Sequence, residues 1–103
     1  SVNGAMFYAP SSANSYLSAD VISASNTLAS TMLSFYCSTT GLANKGVLQD
    51  DNMTGINWCT IPVTIVEMGF MSNPEEDQKM ANSEFQAVIA QGLANGIDAY
   101  FGR

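Results

Sequence analysis

The 103-residue chain has no histidine, three basic residues (Lys45, Lys79 and Arg103) and only two cysteines. Each shortage excludes something. With a net charge of -6 and no basic stripe, the chain could not neutralise a row of phosphates, so nucleic acid is not an expected partner. Without histidine, Cys37 and Cys59 lack the usual base of a cysteine nucleophile and are too few and too far apart for a metal knuckle. They read as structural residues, either disulfide-linked or buried as small apolar side chains. No apolar stretch is long enough to span a bilayer, and the opening SVNGAMFYAP lacks the basic start and apolar middle of a signal peptide. Charged residues make up 12% and hydrophobic residues 47%, too apolar for disorder, so a single small globular domain over 1–103 is expected. A start without Met that runs at once into a strand-like segment reads as a piece of something longer.

VNGAMFYA reads as a first strand, closed by Pro10 and a Ser/Asn cluster. Leu17, Val21, Ala24, Leu28, Met32 and Phe35 recur at helical spacing and predict a long helix with little of its perimeter in solvent, ending near Gly41. GVLQD reads as a short strand and DDNMTGIN as an exposed loop. The β-branched run IPVTIV predicts the central strand, covered on both faces. Asn73, Pro74, Glu75 and Glu76 form a strong helix start, with a capping side chain, a first-turn proline and carboxylates at the positive end of the dipole. Ser83 with Gln86 predicts a capping box that opens a second helix. In that helix Phe85, Ile89, Leu93, Ile97 and Tyr100 form the buried stripe, and Gly92 and Gly96 permit close approach to a sheet. The fold class is α/β, a partial sheet with packed helices.

Glu67 is the one charge in the apolar run that ends at VEMGF. The C-terminal end of a strand in an open α/β sheet is where ligands and catalytic groups gather. Met68 and Phe70 beside it would lower the local dielectric, a setting in which a carboxylate can exchange protons near neutral pH. Gly69 reads as a sharp turn. The remaining acids have simpler accounts: Glu75 and Glu76 cap a helix, Asp50 and Asp51 sit in a solvated loop, and Asp20 and Asp98 lie on helix faces. Tyr8, Tyr16, Tyr36 and Tyr100 read as packing groups with a polar tip, and Trp58 as a loop anchor or groove wall.

The step Lys45, Gly46, Val47, the run PVTIVEMGFMSNPEE at 62–76 and the closing IA, GI and Y helix together resemble the C-terminal part of the zinc-dependent N-acetylmuramoyl-L-alanine amidases of bacterial cell-wall turnover and phage lysis. The resemblance covers nearly the whole chain. It implies a peptidoglycan hydrolase, secreted and acting at the cell wall, that cleaves the amide between muramic acid and the first L-alanine of the stem peptide. It also implies that Glu67 is the general base acting beside a zinc-bound water. The family's zinc ligands, two histidines and a glutamate, lie upstream of the aligned region. No metal is therefore expected in this chain alone, which reads as the C-terminal portion of an amidase-like α/β domain. Exposed sheet edges then predict self-association or pairing with the missing N-terminal part. The alternative is a metal-free amidase-like binding or regulatory module.

Overall fold

The computed structural model describes residues 3–69 and 73–103. In chain order the described elements are β1 (Ala5–Ala9), α1 (Ala19–Thr40), β2 (Asn44–Gln49), α2 (Thr54–Asn57), β3 (Ile65–Glu67), α3 (Pro74–Ala81) and α4 (Ser83–Tyr100). The sheet order is β2-β1-β3, with β2 parallel and β3 antiparallel to β1.

The central strand is therefore β1. The run at 61–66 contributes only the short strand β3, at the sheet edge among the described residues. Its first half satisfies its polar groups elsewhere: Pro62 has no N–H, the Val63 N–H donates to Ser25 Oγ at 2.9 Å, and the Thr64 hydroxyl donates to the Tyr8 carbonyl at 2.8 Å. A β-branched run measures affinity for a packed pleat, and neighbours settle how much of it enters the ladder.

Register assigns the two faces of the sheet. Phe7 lies opposite both Val47 and Val66, and these residues pack with α1 in the core. Ala5, Phe7 and Ala9 are fully buried, and the Phe7 ring meets that of Tyr36 at a 5.8 Å centroid distance. The alternate residues form the other face: Met6 opposite Glu67, and Tyr8 opposite both Ile65 and Leu48. There Met6, Tyr8 and Ile65 are half-buried while Leu48 and Glu67 are exposed, so this face carries no helical cover comparable to α1 among the described residues.

Helix α1 ends at Gly41 as its sequence predicts, but it begins at Ala19, after the expected Leu17, with Ser18 as its cap. Ser18 accepts from the Val21 N–H, and Gly41 takes the left-handed conformation (φ 76°), its N–H donating to the Cys37 carbonyl. Its buried face is rotated from the expected stripe. Ile22, Ser25, Ala29, Met32, Leu33 and Tyr36 are buried, Phe35 is exposed, and the side carrying Ser23, Thr27 and Ser30 faces solvent. Two of the fully buried positions, Ser25 and Ala29, are small, and a periodicity read from large apolar residues passes over them.

The break between α3 and α4 falls where expected, but Asn82 is the cap. It accepts from the Phe85 N–H, while the Gln86 amide reaches back to the Met80 carbonyl. Within α4 the buried residues are Ile89, Gly92 and Gly96, and Ile97 is exposed. The two glycines meet α1 and not the sheet: a Cβ on Gly96 would lie 2.7 Å from Met32 Cα, and one on Gly92 would lie 3.3 Å from Tyr36 Cα. Gly96→Ala is expected to destabilise the chain by about 1–3 kcal/mol, because the obstruction is backbone and outweighs the roughly 1 kcal/mol gained in helix propensity. A urea midpoint equal to or above wild type would refute this close approach.

Candidate functional site

Glu67 ends β3, and its side chain projects onto the uncovered sheet face opposite Met6. The carboxylate is exposed, and so is Met68. The expected apolar shielding is therefore not supplied by Met68, and Phe70, with Met71 and Ser72, lies outside the described residues. No described helix packs on this face, so the last side chain of β3 meets solvent.

What the chain does supply is a held backbone. The Tyr36 hydroxyl, from the core side of α1, donates to the Met68 carbonyl at 2.9 Å. Burial first, then the neighbouring Cys37 and Glu76, push the Tyr36 phenol up to about 12, so it remains a donor across the neutral range. Gly69 does not have a positive φ; it is small because Met80 and Glu76 crowd it, a Cβ there falling 2.7 Å from Met80 Cε and 3.4 Å from Glu76 Oε1.

Glu76 is the residue that sequence reasoning undervalued. Glu75 is exposed, 3.9 Å from Lys79, as a capping carboxylate should be. Glu76 is only 6% exposed, and its Oε2 accepts from the Gly4 N–H at 2.6 Å, across 72 positions of sequence. It thus ties the start of β1 to α3, beside the register pair Met6 and Glu67. The signal available in sequence was its third position in the helix, where a carboxylate returns to the chain end. Its partner on β1 was not legible.

A second polar cluster lies beyond the opposite end of β1. The Ser11 hydroxyl, the Ser11 N–H and the Asn14 amide all donate to the Asp51 carboxylate, and together they hold its carboxyl below the usual range. Asn14, itself buried, also donates to Asn57 Oδ1, and the Asn57 amide donates to the Asp51 carbonyl. Asp51 is thus a loop organiser, and the segment read as an open loop contains α2 with Ile56 fully buried.

Cys37 and Cys59 are free thiols. Cys37 is buried on α1, which raises its pKa, and Cys59 Sγ lies 3.1 Å from the Gly55 carbonyl. Trp58 is 82% exposed and makes no side-chain hydrogen bond or ring contact among the described residues. Among the described residues no three of Cys, Asp and Glu gather to hold a metal, and the sequence has no histidine. No described helix is long and apolar enough to cross a membrane.

The N-acetylmuramoyl-L-alanine amidase family model matches residues 2–99. The amidase AmiA of Salmonella typhimurium is 43% identical over 42 residues, which are 41% of this chain and 14% of AmiA. Among solved structures, the catalytic domain of the amidase CwlV from Bacillus (Paenibacillus) polymyxa is 30% identical with a TM-score of 0.78, the match covering 98% of this chain and 50% of that one. An N-acetylmuramoyl-L-alanine amidase from Clostridium difficile 630 shares the fold with a TM-score of 0.84 at 24% identity, over 99% of this chain and 50% of its own. The chain thus spans about half the length of the solved amidases it matches. With a family match over nearly its whole length and an amidase-like arrangement of sheet and helices, this chain belongs to the N-acetylmuramoyl-L-alanine amidase family.

Proposed function

We propose that residues 1–103 are the C-terminal portion of an amidase domain that hydrolyses the amide between the lactyl group of N-acetylmuramic acid and the L-alanine of the stem peptide, with Glu67 as general base. The observation that carries this reading is the placement of Glu67: an exposed carboxylate at the end of β3, on the uncovered sheet face, with the following backbone held by Tyr36. In that role a Glu67 oxygen takes a proton from the attacking water as the water oxygen bonds to the amide carbon. The C–N bond then breaks, and the same proton passes to the departing alanine nitrogen.

The family is generally zinc-dependent, but the residues of this chain do not fit a catalytic zinc site. Such a site needs about three protein ligands, and no such group is found among the described residues. Metal ligands belong in this reading to the half of the domain that the match does not span, and the substrate places the activity at the cell wall. The test is a chimera in which this chain replaces the matched half of the CwlV catalytic domain, assayed on purified peptidoglycan for new amino groups. A chimera that folds, binds zinc and releases none would instead support a metal-free binding or regulatory module.

The same reading supplies a partner. Both edges of β1 are occupied, which leaves the outer edges of β2 and β3. Lys45 and an irregular register at Gly46 (φ 92°) guard β2 against pairing. The outer side of β3 instead borders an apolar groove of about 620 Å³, lined by Leu28, Met32, Ile61, Val66, Ile97 and Phe101. A strand added at β3, from the remaining half of an amidase domain or from a second copy, would cover it. The chain by itself is expected to sediment as a dimer or larger, and Ile61→Lys, at a position 68% exposed, to shift it towards monomer. A monomeric wild type at high micromolar concentration would contradict self-pairing.

A further inference from the structure

We propose that a second site, at the end of β1 remote from Glu67, binds an uncharged saccharide ring of a glycan strand. A pocket of about 490 Å³ opens beyond the carboxyl ends of the parallel strands β1 and β2, lined by Ser12, Asn14, Leu17, Ile22, Ser23 and Gln49 among others. Glu67 pairs with Met6, whereas the pocket begins past Ala9, so about three residues of strand, roughly 10 Å, separate the two.

The lining selects the chemistry. No charged side chain faces the pocket, and the nearby Asp51 is engaged by Ser11 and Asn14. A phosphate, a carboxylate-bearing peptide or a cation would find no counter-charge there. What the pocket offers is an apolar floor, Leu17 and Ile22, beside neutral polar groups. Asn14 and Asn26 are spent on the chain itself, Asn14 accepting from the Tyr16 and Leu17 N–H groups and Asn26 donating to the Pro10 carbonyl. The hydroxyls of Ser12 and Ser23 have no hydrogen-bond partner among the described residues, and the Gln49 amide donates to Asn26 and leaves its oxygen available. One apolar face beside a few neutral donors and acceptors matches a pyranose ring, which has the same division.

Two further observations support a built site. The loops at 10–18 and 50–57 are fixed to each other by the Ser11, Asn14, Asp51 and Asn57 hydrogen bonds, so the rim is ordered before any ligand arrives. On the first of these loops, between the lining residues Asn14 and Leu17, stands Tyr16, a side chain the core does not use, 71% exposed although its backbone N–H is held by Asn14. Tyr16 is thus not the packing group its sequence suggests. A solvent-facing ring adjoining the lining residues in sequence offers a flat apolar face with a polar tip.

Identifying the saccharide as peptidoglycan glycan rests on the proposed amidase function, but the binding test does not involve hydrolysis. The 15N-labelled chain is titrated with chitotetraose, an uncharged N-acetylglucosamine oligomer that has no stem peptide. Saturable amide shifts confined to residues 12–17, Ser23 and Gln49 are expected, and Tyr16→Ala and Gln49→Ala, both exposed positions, should each weaken binding about fivefold, the effect of one lost contact. A spectrum unchanged at tens of millimolar sugar overturns the proposal. So do shifts that map to the Glu67 end of the sheet, or affinities unchanged in both variants. An amidase-active chimera that fails this titration would leave the catalytic reading intact and remove only the second site.

Discussion

Glu67→Gln in the chimeric amidase domain is expected to lower amide hydrolysis by at least about a hundredfold, the typical contribution of a positioned general base. The substitution keeps the size and the polar end of the side chain, and Glu67 is exposed and outside the core, so stability should change by less than about 0.5 kcal/mol. The decisive comparison is therefore between rate and folding. Amine release from peptidoglycan, followed beside a urea melt and zinc content, should show activity lost with the other two retained. A variant within threefold of wild type would remove Glu67 from proton transfer. A variant that loses zinc as well would make it a ligand instead of a base.

The second large effect is expected at Glu76, and it concerns stability. Glu76→Ala deletes a buried acceptor and leaves the Gly4 N–H without its 2.6 Å partner, a loss of about 2–3 kcal/mol for a hydrogen bond to a charged group. Glu76→Gln keeps a carbonyl oxygen in place and should recover at least half of that loss. Because Gly4 leads directly into β1, the Ala variant should also speed hydrogen exchange of β1 amides more than those of α4. Equal urea midpoints for wild type and the Ala variant would show that the bond does not hold the strand.

The two residues differ in how visible they were. Glu67 stood out in the sequence as a candidate because a lone charge ending an apolar run has few local explanations, and because the 62–76 run is specific to a family. Glu76 did not, because a glutamate at the third position of a helix already has a sufficient local account and nothing in the string indicates which strand folds against it. Asp51 is a similar case: its loop placement was legible, its contacts with Ser11 and Asn14 were not. These contacts span about 40 positions, and composition carries no information on them.

Local chemistry by itself determined the α/β class, the end of α1 at Gly41, the Asn73 and Pro74 start of α3 and the break before α4, since each boundary depends on residues within one turn of it. It also excluded a histidine-based metal site within this chain. Only the tertiary structure decided that β1, and not the run at 61–66, is the central strand, and that Gly92 and Gly96 serve a helix contact. It likewise decided that Glu67 stands on an uncovered face. The reason is physical: capping and turn preferences are satisfied by neighbours in sequence, whereas strand order, face and burial are set by which surfaces meet, and the same apolar run serves a central strand or an edge equally well.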